Sequence, residues 1–158
     1  MTTKTLDDTS AMHLAIQASR QALDAGNMPF GATLLSATGE LLHVAANNQN
    51  TSGDFTGHAE MVLLREASMR LGREALRGTT VFASGEPCAM CSGSMYWAGV
   101  KRVVFAATQQ DLADGLGGDT LAVTSRDVLG RASRPVAVEG PFCRDEAVKV
   151  LRGTQSSK

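Results

Sequence analysis

Residues 79–91 read Thr79-Thr80-Val81-Phe82-Ala83-Ser84-Gly85-Glu86-Pro87-Cys88-Ala89-Met90-Cys91. The first six form a strand that delivers the chain to a cysteine turn, and a helix is expected from Cys88 to about Ala98. Proline suits the first position of such a helix because that position needs no N–H donor. Residues three apart on a helix share a face, so Cys88 and Cys91 can grip one ion. A helix start also favours thiolates, since unpaired amides and the positive end of the dipole lower a cysteine's pKa. Strand end, metal ligands and helix start thus coincide where open α/β sheets bind ligands. The next apolar run, Arg102–Ala107, is a further strand. Strand-helix-strand order implies parallel neighbours joined by a right-handed crossover.

Working outward, His58-Ala59-Glu60 opens a second helical pattern about thirty residues earlier, with Met61, Leu64 or Arg65, Ser68 and Leu71 at helical spacing. Thr56 or Asp54 is the candidate cap, and Arg65, Arg70, Arg73 and Arg77 read as a solvated helix face. Residues 10–25 place Met12, Ala15, Ile16, Ser19 and Leu23 at helical spacing, closed by Gly26-Asn27. Gly31–Ser36 and Leu41–Ala46 flank a turn at Ala37–Glu40, as in a hairpin. Downstream, residues 108–120 hold three glycines and several aspartates and read as a loop or short irregular helix. A short helix over Val123–Leu129, a strand over Pro135–Glu139, a terminal helix over Cys143–Leu151 and a mobile tail over 153–158 complete the order.

One imidazole, His58, and two thiolates, Cys88 and Cys91, make three protein ligands of the kind zinc prefers, leaving a fourth tetrahedral position for water. Glu60, two residues from the histidine, is then placed to move protons. A structural zinc site is the other reading. It would close with a fourth protein ligand, for which Cys143, His13 and His43 are the candidates, none at a familiar spacing. Otherwise His13 and His43 read as surface or packing residues and Cys143 as a partly exposed thiol.

Composition sets the outer bounds. At 158 residues the chain fits one domain, residues 1–158 with a core over about 10–152. Three cysteines do not make a disulfide framework. No apolar run approaches the ~20 residues of a membrane span, and the polar start lacks a signal-peptide core, so a cytoplasmic protein without membrane attachment is expected. With a formal net charge of -1 the whole molecule has no attractive field for polyphosphate, which makes nucleic acid a second choice as partner.

The pairing of H-x-E with P-C-x-x-C is the signature of zinc deaminases. Over residues 10–150 the chain resembles the cytidine deaminase superfamily, in its nucleobase branch of bacterial guanine deaminases and tRNA adenosine deaminases. The resemblance rests on Met28-Pro29-Phe30-Gly31-Ala32, Asn47, His58-Ala59-Glu60, Glu86-Pro87-Cys88-Ala89-Met90-Cys91 and Arg102–Ala107. It implies a three-layer α/β/α sandwich around a mixed five-stranded sheet and a homodimer. It also implies one zinc per chain on His58, Cys88 and Cys91, with Glu60 as proton shuttle. For the base it implies a pocket drawing on Asn47, Phe30, Gly57, Ala59, Glu86, Trp97 and Asp119, with Asp114 the substitute for Asp119.

Each of those pocket residues has a plainer role open to it. Phe30 and Trp97 can be core aromatics, Asp119 a turn residue and Glu86 structural. Gly57 replaces the alanine usual before the zinc histidine, which would enlarge the pocket, and Phe55 stands where the family has proline. Phe30 and the mixed-sign last helix lean toward the guanine branch. The expected reaction is deamination of a free amino-base, guanine to xanthine, with tRNA adenosine or another small amino-heterocycle as alternatives. A non-catalytic zinc protein is the rival outside enzymes, and an intact Glu60 argues against it.

Overall fold

The computed structural model describes residues 3–153. Five strands form one sheet in the order β2-β1-β3-β4-β5, from β1 (Gly31–Leu35), β2 (Leu41–Ala46), β3 (Thr80–Gly85), β4 (Arg102–Ala107) and β5 (Ala137–Glu139). β1 runs antiparallel to both β2 and β3, whereas β3, β4 and β5 are parallel, so the sheet is mixed as expected. The helices are α1 (Asp8–Asp24), α2 (Gln49–Ser52), α3 (Ala59–Leu71), α4 (Ala89–Ala98), α5 (Gln109–Leu116), α6 (Ser125–Leu129) and α7 (Arg144–Gly153). None among the described residues is long and apolar enough to cross a membrane.

Strand alternation divides the interior into two apolar layers, as the period of two requires. Ala32, Leu34, Val81 and Val103 face α3 and α4, where Leu63 and Met95 are fully buried. Leu35, Phe82 and Val104 face α1 and α7, against Met12, Ile16 and Leu151. This is the α/β/α sandwich. Close approach of α1 to β1 depends on Gly31, where an added Cβ would lie 2.1 Å from the Ala15 carbonyl oxygen. Ser84 adds a polar tie by accepting from the Gly31 N–H at 3.0 Å.

Four expectations need correction. α3 buries Ala59, Glu60, Val62, Leu63, Leu64 and Ala67, while Met61 and Ser68 are half-buried and Leu71 is exposed. The run Met61-Val62-Leu63-Leu64 is apolar on every side, so periodicity could not phase it, and the sheet and α4 decided which face is covered. Neither Asp54 nor Thr56 caps α3. Asp54 Oδ1 instead accepts from the Thr56 N–H and hydroxyl in the turn before it, and His58 occupies the N-cap without a side-chain bond. Pro87 stands outside α4, with Cys88 as N-cap. Residues 109–116 form a regular helix, started by a capping box in which Thr108 and Asp111 satisfy each other's backbone donors. The expected mobile tail lies, beyond Gly153, outside the described residues.

Asp111 has a second task. Arg144 at the start of α7 holds it with two bonds, of 2.6 and 2.9 Å, which fastens α5 to α7. The Arg144 guanidinium keeps the Asp111 carboxyl below its ordinary 3.8, helped by the Thr108 bonds and opposed by burial. A depressed folded-state pKa contributes stability above the unfolded value and loses it as pH falls through the folded one. Asp111→Asn should therefore lower stability at neutral pH by about 1 kcal/mol, the scale of a lost cap. In urea unfolding the gap to the parent should close as pH drops below 3.8. A gap that stays constant into strong acid would show that the ion pair contributes nothing.

Candidate active site

Two helix N-termini meet at the end of β3. His58 is the N-cap of α3 and Cys88 the N-cap of α4, both in extended backbone conformation, so each side chain leaves the chain just before its helix. Cys91 lies one turn into α4 and is fully buried. The donor atoms of His58, Cys88 and Cys91 lie within 4.8 Å of one another. His58 Nδ1 is 3.6 Å from Cys88 Sγ and 3.5 Å from Cys91 Sγ. Zn–S of about 2.3 Å and Zn–N of about 2.0–2.1 Å at the tetrahedral angle separate nitrogen from sulfur by about 3.6 Å. The donor set and its spacing fit zinc. No further His, Cys, Asp or Glu joins this cluster among the described residues, so the four-ligand structural site has no support there. His43 pairs instead with Glu66 at 2.7 Å, and His13 with Glu146 at 2.8 Å.

The electrostatics follow from burial and crowding. Glu60 is 5% exposed, and burial pushes its carboxyl up to about 7, against a lowering hydrogen bond from Cys91. The Cys88 thiol is drawn down to about 4, first by its hydrogen bond with Cys91 and also by the one with His58. Cys91 moves the other way, through that same bond and its burial. The thiolate at Cys88 in turn raises His58. A carboxyl titrating near neutrality accepts and returns a proton with little driving-force penalty in either direction.

These groups open into a cavity of about 340 Å³. His58, Glu60 and Cys88 line one side, and Phe30, Asn47 and Glu86 line the rest with Met28, Gln49 and Leu112. Phe30 lies against Gly85, where an added Cβ would sit 2.8 Å from the ring, so the glycine lets the aromatic reach the pocket. Asn47 is buried and fastened to Gln49, whose N–H it accepts at 3.0 Å and whose Oε1 takes its amide at 2.7 Å. One amide hydrogen and one carbonyl lone pair of Asn47 stay available. Glu86 is committed to the Gln109 N–H at 2.9 Å and to Ser125 at 3.4 Å, so its plainer role as a structural residue holds alongside its place in the wall.

Other expected pocket residues are elsewhere. Trp97 is 82% exposed on the outer side of α4, stacked edge-on against Tyr96. Gly57 does not enlarge the pocket: a Cβ there would meet Asn48 Oδ1 at 2.3 Å, so its bareness lets two loops touch. Ala59 is fully buried in the α3 core. Asp119 is exposed and lines an adjoining cavity of about 380 Å³ that shares Phe30, Glu86 and Cys88 with the first. Asp114 is exposed on α5 and accepts from Gln110. Gln49 and Leu112 were not singled out from sequence, and Met28 was quoted only as part of the motif around Phe30. Gln49 had a signal in its place two residues past Asn47.

The geometry yields a direct test of the metal. Purified protein should carry about one zinc in this cluster by elemental analysis, and Cys88→Ala with Cys91→Ala should remove it. Glu60→Gln should keep metal and fold but lose turnover by about 10²–10⁴-fold, the usual worth of a positioned proton-transfer group. Near-normal turnover in that variant would overturn the role of Glu60.

Comparison with known proteins bears on the same residues. Residues 5–107 match the cytidine and deoxycytidylate deaminase zinc-binding region. A probable cytosine deaminase of Schizosaccharomyces pombe is 36% identical over 150 residues, spanning 92% of this chain and 91% of that protein. A tRNA-specific adenosine deaminase of Bacillus subtilis is 38% identical over 96 residues, 61% of this chain and 59% of that one. Among solved structures, guanine deaminase from Nitrosomonas europaea superimposes with a TM-score of 0.83 at 23% identity, covering 98% of this chain and 88% of that one. The last similarity is one of fold.

Proposed function

The chain belongs to the cytidine and deoxycytidylate deaminase zinc-binding family, and from that premise we propose that it hydrolyses the exocyclic amine of a free amino-base, guanine first, to xanthine and ammonia. The observation that carries this reading is Glu60, buried, titrating near 7, and sharing one cavity with His58 and Cys88. His58 Nδ1, Cys88 Sγ and Cys91 Sγ would hold the zinc, which when bound supplies a water acidified toward ~7 as nucleophile. Glu60 would take one proton of the attacking water at its carboxylate and pass it to a ring nitrogen, then carry the water's second proton to the departing amine. Backbone carbonyls near Ser84 are the acceptors that the family resemblance implies for the hydrogens of the departing ammonia. Phe30 offers a face to the base, and Asn47 offers its remaining N–H and lone pair to a ring edge.

Guanine, a two-ring base, is favoured by the way the two cavities join through Phe30, Glu86 and Cys88, with Asp119 on the farther wall to accept from ring N–H groups. Cytosine is the second reading, favoured by the full-length similarity to the probable cytosine deaminase. Ammonia release measured over guanine, cytosine, adenine and their nucleosides decides between them. Guanine should turn over fastest, and Asp119→Ala should lose guanine turnover selectively by about ten- to a hundredfold, the scale of one unpaired polar group. Faster turnover of cytosine would keep the deaminase and reject the two-ring pocket.

Macromolecular partners follow from charge and surface. With a net charge of -1, tRNA binding should be weak and lost at ordinary salt. Salt-resistant binding with inosine formation would reverse this. The exposed Trp97 and neighbouring Tyr96 offer apolar surface beside an arginine-bearing groove of about 650 Å³, and that aromatic pair suits the homodimer the family resemblance implies. Sedimentation velocity should show a dimer in the parent and dissociation in Trp97→Glu.

A further inference from the structure

Among the described residues two groups of metal-ligating side chains converge, and one of them has no place in the pocket. It consists of His13, Cys143 and Glu146, whose donor atoms lie within 4.8 Å of one another, the same limit that describes the active-site cluster. His13 projects from α1 and Glu146 from the first turn of α7, so the group lies across the sheet from α3 and α4. His13 Nε2 is already 2.8 Å from Glu146 Oε2. Cys143 immediately precedes α7 and is three residues from Glu146, repeating the spacing of Cys88 and Cys91 around the start of α4.

The backbone adds an independent sign. Cys143 has φ 57°, the positive-φ residue other than glycine among those described. A side-chain-bearing residue there is strained and persists where its surroundings over-determine it, a condition that recurs at ligand sites. Its stem packs half-buried against the α1–α7 core, while His13 and Glu146 are exposed to solvent. A thiolate, an imidazole and a carboxylate are a mixed donor set that suits zinc, since calcium and magnesium take oxygen ligands throughout. Three protein ligands leave one position for water.

We propose that His13, Cys143 and Glu146 form a second zinc site, on the surface, that clamps α1 to α7. The clamp adds a metal bond to the contacts that hold the C-terminal helix, next to the Arg144–Asp111 pair that ties α7 to α5. It is separate from the reaction, so its loss leaves the deaminase chemistry intact.

Equilibrium dialysis of the full chain against zinc, with metal read by elemental analysis, tests the site. The parent should bind two zinc ions per chain, and His13→Ala and Cys143→Ser one each, both with parental turnover. At free zinc about 100 times the second site's Kd, the folding equilibrium of the parent should shift about 100-fold toward the native state, and that shift should vanish in His13→Ala. In case a variant folds poorly, cobalt titration of the parent serves. A second equivalent should bring further thiolate-to-cobalt charge-transfer absorption. Saturation at one metal per chain, no added thiolate band, or a second zinc that survives both substitutions would overturn the proposal.

Discussion

One small volume governs this molecule: the space within about 3.6 Å of His58 Nδ1 where two sulfur atoms must also arrive. Side chains at two N-caps reach a common point only if both helix starts abut, so α3 and α4 are brought together at the end of β3. Several contacts in the core follow from that demand. Ala59 and Cys91, small and fully buried, let the helix starts approach, and Leu63, Met95, Val81 and Val103 fill the layer beneath them. The parallel pairing of β3 with β4 then returns the chain on the far side of α4.

Around that point the chain accepts local cost. A carboxyl at Glu60, 5% exposed and beside two sulfurs, is out of water where folding alone would place an apolar residue. Its raised pKa is the expression of that desolvation, and it is also what suits the group to proton transfer. Stability and chemistry pull in opposite directions at this residue. The rest of the α3 face, Val62, Leu63 and Ala67, compensates by burying apolar surface.

The walls of the pocket come from segments with little in common in sequence. Phe30 reaches it because Gly85 has no side chain, Asn47 is aimed by Gln49, and Leu112 is delivered by a helix whose first turn rests on the Thr108–Asp111 capping box. Arg144 holds that same Asp111 from α7. The C-terminal helix, remote from the metal cluster in sequence, thus steadies one wall of the site.

The sequence alone determined the strands, the helices α1, α3, α4 and α7, and the spacing of His58, Glu60, Cys88 and Cys91. All of these are carried by short-range spacing: a period of two, a period near 3.6, and ligands set two or three residues apart. The buried face of α3 was not legible, because Met61-Val62-Leu63-Leu64 is apolar in every direction and only the neighbouring elements choose among the sides. Trp97, Gly57 and Asp119 show the same limit. Whether a tryptophan points inward, a glycine widens a pocket or frees two loops to touch, or an aspartate meets one cavity or the next depends on contacts between residues far apart in the chain. The grouping of His13 with Cys143 and Glu146 across 130 residues is of that kind as well. Tertiary structure decided it because proximity through space has no trace in local spacing.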